Sequence, residues 1–281
     1  MLFLATQKGY KALLKICKKG YTKDIKTVVS FKEVDVDKSW HNDIKNLCYK
    51  NNIKFYMWDD IKNILTDIII ENGITNIITV SWKYMLPTNI NNILSTPIIV
   101  LHDSLLPKYR GFAPTPTAII CGENKFGVTA LFATDDVDKG DIIKQKSVYI
   151  SNDKYIADVI EILSDLYEDI VCEIIEDLKN NNIVAYPQNE NLATYSIWRN
   201  IEDCHINWKK DSNYIYNFIR AIGTPYYGAF SFLDGEKIII NKAEVLKNDL
   251  NFALRDEGKI WKIENGCPEV ICGKGMLKIK E

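Results

Sequence analysis

Hydrophobic and polar positions in the first hundred residues alternate between short apolar runs and longer stretches with apolar residues at helical spacing. The runs predict strands over Met1 to Ala5, Ile25 to Ser30, Ile53 to Tyr56, Ile74 to Ser81 and Pro97 to His102. The stretches predict helices over Gly9 to Lys18 and Asp37 to Asn52. Because strands and helices alternate, we predict an α/β fold with a parallel, doubly wound, Rossmann-like sheet.

The pattern changes in the second half of the chain. A helix is predicted from Phe112 to Cys121, followed by strands over Gly127 to Thr134 and Ile142 to Ile150 and by an amphipathic helix over Tyr155 to Lys179. Beyond a polar stretch, a helix over Ser212 to Ala221 precedes strands at Ala229 to Leu233, Lys237 to Ile240, Ile260 to Ile263 and Val270 to Cys272. We therefore expect a catalytic domain over 1–186, a linker over 187–198 and a small OB-like β-barrel over 199–281.

Composition narrows the class of protein. Of 281 residues, 47% are hydrophobic and 26% are charged, which is typical of a globular protein. The apolar runs are too short to cross a bilayer, and the segment Met1 to Ala5 has neither a basic leader nor a cleavage site, so we expect a cytoplasmic protein without a membrane partner. The seven cysteines lack metal-ligand spacing, so we expect reduced thiols and no metal. A net charge of −2 argues against a protein that binds a long polyanion.

The turn after the first predicted strand does not indicate a dinucleotide. The segment Thr6 to Tyr10 contains one glycine, whereas the dinucleotide fingerprint needs three glycines to bring the main chain against a pyrophosphate. The fold is therefore expected to be Rossmann-like without that cofactor.

Candidate chemistry is concentrated in the segment Val100 to Gly111, where a predicted strand ends in His102 and enters a loop punctuated by proline and glycine. Ligands of open parallel sheets bind outside the carboxyl ends of the strands. A neutral histidine there is able to take a proton from an attacking amine near physiological pH. Position alone leaves open a structural, hydrogen-bonding role for His102.

A second polar segment runs from Val137 to Ile142, and taken alone its Asp138 and Asp141 are ordinary turn residues beside Gly140. The combination is more specific. His102-x-Ser104-Leu105-Leu106-Pro107-x-Tyr109-Arg110-Gly111, then Gly127-Val128-Thr129, then Asp138-x-Gly140-Asp141 closely resembles the signature of the 10-formyltetrahydrofolate-dependent formyltransferases.

The resemblance extends over nearly the whole chain. Further matching segments are Ser81-Trp82-Lys83-Tyr84-Met85-Leu86-Pro87, Ala193-Thr194-Tyr195, Ile206-x-Trp208 and Ile219-Arg220-Ala221. It implies a Rossmann-like catalytic domain with a C-terminal barrel, 10-formyltetrahydrofolate as formyl donor, and His102 and Asp138 as catalytic residues. It also implies that the donor lies against Trp82, Tyr84, Leu86, Leu131, Ala133 and Asp138, much of it recognised by main-chain groups.

One position departs from the family pattern. The family usually has an asparagine two residues before the catalytic histidine, where this chain has Val100, a side chain that neither donates nor accepts a hydrogen bond. Either Ser104, the Lys83 ammonium or a main-chain amide replaces the lost donor, or the site is weakened. We favour replacement because the rest of the motif is intact.

The resemblance leaves several acceptors open, namely initiator methionyl-tRNA, glycinamide ribonucleotide and nucleotide-linked amino sugars. The purine enzyme is normally a single domain, and residues 199–281 carry 13 Lys and Arg against 12 Asp and Glu, a balance of only +1 for an RNA-binding surface. We therefore expect no nucleic-acid partner and favour an amino deoxysugar nucleotide used in surface-glycan biosynthesis, with Lys83, Ser104 and Arg110 as substrate-binding residues. Lys83 and Arg110 have the charge that suits a diphosphate.

Other activities remain as alternatives at this stage. They are methionyl-tRNA formylation, hydrolysis of the formyl-folate, and a non-catalytic folate- or nucleotide-binding relative in which Val100 records lost activity. The sequence does not fix the oligomeric state, and a homodimer is one of the alternatives.

Overall fold

The computed structural model describes residues 1–34, 38–247 and 250–281. Two compact units are present. The first comprises Met1–Gly111, Phe126–Val148 and Glu161–Tyr195, and the second comprises Phe112–Lys125, Tyr149–Ile160 and Ser196–Glu281.

The strands are β1 Leu2–Leu4, β2 Thr27–Ser30, β3 Lys54–Met57, β4 Ile78–Val80, β5 Ile99–His102, β6 Arg110–Gly111, β7 Lys125–Phe132, β8 Ile142–Tyr149, β9 Tyr195–Ser196, β10 Ala229–Leu233, β11 Glu236–Ile240, β12 Ala243–Val245, β13 Ile260–Glu264, β14 Cys267–Ile271 and β15 Met276–Ile279. The helices are α1 Thr6–Lys18, α2 His41–Lys50, α3 Trp58–Ile61, α4 Leu65–Glu71, α5 Pro114–Ile120, α6 Ile156–Lys179 and α7 Ser212–Ile222.

The first unit contains a seven-stranded sheet in the order β3-β2-β1-β4-β5-β7-β8. Neighbours from β3 to β5 run parallel, and β7 pairs antiparallel with β5. Because β4 and β5 are parallel neighbours, with Val80 opposite Leu101, the loops that follow them begin at the same edge of the sheet. That edge is where the sequence predicts a ligand site.

Burial explains why the central strands read as continuous apolar runs. The residues of β1 and β4 are all buried, as expected for strands covered on both faces by helices. The helix α1 buries one face through Ala12, Leu13 and Ile16, which recur at helical spacing. Local apolar patterning and tertiary burial therefore agree in this unit.

The second unit is built on antiparallel pairs. The strands β10 and β11 form one ladder, and the order β12-β15-β14-β13 forms another. In this unit α5 packs against α7, whose first turn is capped by the Asp211 carboxylate, which accepts from the Tyr214 amide at 2.9 Å. The α/β class with a C-terminal unit of antiparallel strands is confirmed. The proposed boundaries at 186 and 199 stay a prediction.

Several short elements were missed from the sequence, namely α3, α4, β12 and β15. They are three to seven residues long, so each is too short to show a helical or alternating period of its own. The predicted helix from Asp37 is present as α2 from His41, and Asp37 itself lies outside the described residues. Among the described residues, the structure has no helix with the length and apolar character needed to span a membrane.

Candidate active site

His102 ends β5 and is buried, with 8% of its surface exposed. Its Nε2 lies 2.8 Å from the main-chain oxygen of Tyr109. A carbonyl oxygen only accepts hydrogen bonds, so Nε2 carries the proton of the neutral ring. Nδ1 is then the basic nitrogen, and it lies 3.4 Å from Oδ2 of Asp138. The geometry thus places a carboxylate opposite the ring nitrogen that is able to accept a proton.

Asp138 is held in a turn by its main chain and by its side chain. Its φ of 54° is in the left-handed region, which Asp tolerates better than most residues. The main-chain amide of Gly111 donates to Oδ2 at 2.8 Å. Two residues on, a Cβ added to Gly140 would lie 1.7 Å from the Phe132 oxygen, so only glycine lets this turn close against β7. The Asp-x-Gly spacing therefore follows from backbone packing.

Gln188 contributes to the same turn and was missed from the sequence. Its Nε2 donates to the main-chain oxygens of Asp138 at 2.7 Å and Gly140 at 2.8 Å. Its Oε1 accepts from both Nε and Nη2 of Arg110, at 3.1 and 2.8 Å. The sequence placed Gln188 in a polar linker, and a single glutamine in a loop gives no signal of this role.

The substrate-binding prediction for Arg110 does not fit the structure. The side chain is fully buried, and its guanidinium also forms a bidentate pair with Glu190, at 2.9 and 2.6 Å. The hydrogen bond to Glu190 raises the pKa of Arg110 above its usual value. The guanidinium has no surface left for a diphosphate, so Arg110 instead ties residues 188–190 to the Asp138 turn.

Ser104 is likewise committed to the loop in which it lies. It is buried, and its hydroxyl donates to the Lys108 oxygen at 2.6 Å. The Thr129 hydroxyl donates to the Ser104 oxygen at 2.6 Å and accepts from the Leu106 amide at 3.1 Å. These two hydrogen bonds explain why a threonine occupies the third position of the Gly-Val-Thr motif. Because the Ser104 hydroxyl donates its proton to the Lys108 oxygen, Ser104 does not replace the asparagine that is missing at position 100. Its buried side chain does not face a substrate either.

An aromatic cluster lies at the end of β4. The Trp82 ring packs edge-on against Phe3, Phe31 and Trp58, with centroids 4.9 to 5.6 Å apart, and lies 5.8 Å from the Tyr84 ring. Trp82 Nε1 is a buried donor with no hydrogen-bond acceptor among the described residues. Aromatic side chains of this kind suit a flat heterocycle such as a pterin.

Leu86, Val100 and Ala133 pack, like Trp82, against the hydrophobic core that includes Phe3, Phe31 and Trp58. The structure thus brings the predicted donor-binding residues Trp82, Leu86 and Ala133 into one region. Leu131 differs from them because its side chain is buried with Leu106 and Ile142 in a second cluster. Leu131 is therefore left with main-chain groups only for any contact with a ligand.

Lys83 is exposed beside the cluster. Its ammonium lies 4.9 Å from the Phe31 ring centroid and 5.2 Å from that of Tyr84, which are cation–π distances. Since Arg110 and Ser104 are committed elsewhere, Lys83 is the one predicted substrate-binding side chain whose charge faces solvent. Within residues 1–34, 38–247 and 250–281, no group of three or more His, Cys, Asp and Glu side chains is arranged to hold a metal ion.

Known structures of two formyltransferases have a similar fold. An N-formyltransferase from Helicobacter canadensis, solved with folinic acid and dTDP-3-aminofucose, superposes with a TM-score of 0.71 at 19% identity, covering 99% of this chain and 97% of that one. A 4-N formyltransferase from Francisella tularensis superposes with a TM-score of 0.65 at 21% identity, covering 85% and 95%. At these identities the likeness establishes the fold alone.

Comparison of the sequence establishes the family. The formyl transferase model matches residues 2–175, and the model of the formyl transferase C-terminal domain matches residues 200–281. A methionyl-tRNA formyltransferase from Fusobacterium nucleatum is 32% identical over 235 residues, which cover 80% of this chain and 76% of that relative. The match includes the segments that form the His102–Asp138 site, and the chain therefore belongs to the formyl transferase family.

Proposed function

We propose that the protein transfers a formyl group from 10-formyltetrahydrofolate to the primary amine of a nucleotide-linked amino deoxysugar. One observation carries the chemical part of this proposal. At the carboxyl edge of the sheet, the basic Nδ1 of His102 lies 3.4 Å from the Asp138 carboxylate. An amine attacking a formyl carbon must lose a proton, and this pair is suited to receive it.

Tyr109 and Asp138, the two partners of the His102 ring, have different roles. Tyr109 fixes the tautomer by accepting from Nε2, which leaves Nδ1 free to take the amine proton. The Asp138 carboxylate then neutralises the imidazolium that forms. Nδ1 returns the proton to the nitrogen that leaves the formyl carbon, so the ring ends in its starting state. Neither a metal nor a covalent nucleophile is part of this mechanism.

The aromatic cluster supports the assignment of the donor. The folate supplies an activated formyl group, and its pterin ring needs a flat apolar surface with donors at the edge. Trp82, Leu86 and Ala133 contribute apolar side chains to one region of the first unit. Main-chain groups of the loops after β4 and β7 would hold the edge of the pterin.

The charge distribution supports a small acceptor. In the second unit, Lys242, Lys262 and Lys278 each form ion pairs with carboxylates of the same unit. Cations paired in this way present little net positive charge to a polyanion, which needs several phosphate contacts for stable binding. A diphosphate needs one or two, and the exposed ammonium of Lys83 in the first unit suits that contact.

Methionyl-tRNA formylation is the second candidate. The 32% identity to the Fusobacterium nucleatum methionyl-tRNA formyltransferase favours it. Against it stands the near-neutral charge balance of residues 199–281.

A turnover screen separates the candidates. UDP- and dTDP-linked amino sugars and charged initiator tRNA are each tested for acceptor-dependent release of tetrahydrofolate. We expect release with a sugar nucleotide and none with the tRNA. If only the tRNA is formylated, the acceptor is the tRNA and not a sugar nucleotide, and the proposed formyl-transfer chemistry still holds. Release without any acceptor would indicate a hydrolase, and binding of the folate without release would indicate a non-catalytic relative.

Lys83→Ala tests the diphosphate contact in the same assay. We expect its KM for the sugar nucleotide to rise about tenfold, with the KM for the folate changed less. Lys139→Ala is the matched control, because Lys139 is exposed and pairs with Asp136 at 3.0 Å in the same unit. Equal effects of the two variants would argue against a specific role for Lys83.

A further inference from the structure

A charged cluster in which the Asp103 side chain is 20% exposed lies immediately after the candidate base. The Asp103 carboxylate forms an ion pair through Oδ2 with the Lys8 ammonium, and through Oδ1 it accepts a hydrogen bond from the Tyr167 hydroxyl. Tyr167 is buried, and the Lys8 side chain is 8% exposed. Asp103 occupies the variable position between His102 and Ser104, so the family motif does not call for a carboxylate there.

The cluster joins three elements of the first unit. Lys8 is on α1, Asp103 follows β5, and Tyr167 is on α6. The Lys8 ammonium also lies 5.4 Å from the Tyr167 ring centroid. The two helices are neighbours, as the ion pair between Lys11 and Glu161 indicates. Asp103 therefore fastens the end of the strand that carries His102 to both helices.

The ionised state of Asp103 is built into this arrangement. Burial alone would raise the pKa of the carboxyl, but the Lys8 ammonium, the Tyr167 hydroxyl and the adjacent His102 together hold it below its usual value. A partly buried carboxylate with close partners resists displacement because the loss of a partner leaves its charge less compensated. The cluster is thus a rigid anchor rather than a solvated surface pair.

We propose that Lys8, Asp103 and Tyr167 form a positioning cluster that fixes the main chain at the end of β5, and thereby the orientation of the His102 ring. His102 is the last residue of β5 and Asp103 is the next residue, so the two share the peptide group at which the strand ends. Anchoring the Asp103 side chain fixes that peptide. The ring then keeps Nε2 at 2.8 Å from the Tyr109 oxygen and Nδ1 opposite Asp138.

The size of the expected effect follows from the geometry of proton transfer. A displacement of a catalytic group by about 1 Å costs on the order of a hundredfold in rate. Loss of the anchor is therefore expected to lower kcat while substrate binding, which uses other side chains, changes little. The inference rests on the proposed role of His102 as base.

Four variants test the cluster, namely Asp103→Ala, Asp103→Asn, Lys8→Met and Tyr167→Phe. For Tyr167→Phe, which removes one hydroxyl, we expect kcat to fall about tenfold with both KM values within about twofold of wild type. Asp103→Ala should lower kcat further, and Asp103→Asn should recover part of it because the amide oxygen still accepts from Tyr167. The His102 ring resonances in NMR spectra should shift in each variant.

Lys11→Met is the matched control, since it removes an ion pair between the same two helices without touching Asp103. It should leave kcat and the His102 resonances unchanged. If Lys11→Met lowers kcat as much as Tyr167→Phe does, the cluster has no special relation to His102 and the inference is overturned.

Two further outcomes are decisive. If Tyr167→Phe and Lys8→Met keep wild-type kcat and unshifted His102 resonances, the inference fails even where Asp103→Ala does not fold. If the wild-type protein transfers no formyl group from the folate to any acceptor, the proposed function fails instead, and the His102 resonances of the variants still test the cluster. The two failures are therefore distinguishable.

Discussion

The main-chain amide of Gly111 lies 2.8 Å from Oδ2 of Asp138, the carboxylate oxygen that faces His102. The Arg-Gly end of one motif thereby holds the aspartate of another motif 27 residues later in the chain. The hydrogen bond fixes one lone pair of the carboxylate and leaves its charge directed at the ring. From this contact we make separate predictions for His102, for Asp138 and for the residues that hold the Asp138 turn.

His102→Ala should lower kcat by about a hundredfold to ten-thousandfold, the range of general acid–base catalysis, because the methyl side chain of alanine does not accept the amine proton. The folate KM and the thermal midpoint should change little. His41→Ala is the matched control, since His41 lies on α2 and contacts Ser39 at 2.9 Å. Steady-state turnover checks the prediction, and near-normal kcat would remove His102 from the mechanism.

Asp138→Asn removes the negative charge of the side chain while nearly keeping its shape, so it tests the charge alone. The amide oxygen still accepts from the Gly111 amide, and asparagine tolerates the left-handed φ of 54°. We expect stability close to wild type and a kcat lowered by about a hundredfold, because a neutral amide does not stabilise the protonated ring. Asp136→Asn, an exposed position in the same turn, serves as control. An unchanged kcat in Asp138→Asn would show that the charge is not needed.

Gln188→Ala should destabilise the Asp138 turn. It leaves the main-chain oxygens of Asp138 and Gly140 without this donor, at a cost of about 1–3 kcal/mol in the free energy of unfolding. We also expect a lower kcat, since the turn positions the carboxylate. Urea unfolding and turnover measure the two effects. Gln7→Ala, which removes one glutamine contact to Glu161 on the surface, should show neither.

Val100→Asn tests the departure from the family pattern. Val100 is partly buried and packs on two apolar clusters, so an amide there should cost about 1–3 kcal/mol of stability unless it finds a partner. If a main-chain amide or Lys83 already supplies the missing donor, kcat should stay within about tenfold of wild type. A gain above about a hundredfold would identify the natural protein as a weakened enzyme. Val100→Ala is the size control.

The lowered pKa of Asp103 predicts how the free energy of unfolding depends on pH in acid. Its pKa is lower in the folded protein than in the unfolded chain, so the unfolded chain binds more protons as the solution is acidified. The contribution is fully present above the unfolded pKa of about 4 and is lost as the pH falls through the folded value. Asp103→Asn should flatten the fall in unfolding free energy below about pH 4. Urea titrations along a pH series provide the test, and an unchanged acid slope would contradict it.

Much of the fold was predictable because its signals are local. The apolar run that ends at His102 was predicted as a strand from Pro97 and is β5 from Ile99, and the helix predicted from Tyr155 is α6 from Ile156. The strand shows a continuous apolar run and the helix shows apolar residues at helical spacing, and both signals lie within the element itself. The order of the motifs was enough to predict the family and the enzyme class, and the comparisons confirm both.

The sequence also determined which side chains were available for the chemistry, since His102, Asp138 and the glycine at position 140 were named from their motifs. It did not determine which charges face a ligand. Arg110 and Ser104 were predicted at a substrate and are buried in hydrogen bonds, whereas Gln188, in a predicted linker, donates to the Asp138 turn. Those partners lie 78 residues apart for Arg110 and Gln188 and 50 for Gln188 and Asp138. Local patterning carries the periodicity of a helix or strand, but a hydrogen-bond partner at such a distance is chosen only when the chain folds back on itself, and so tertiary structure decided it.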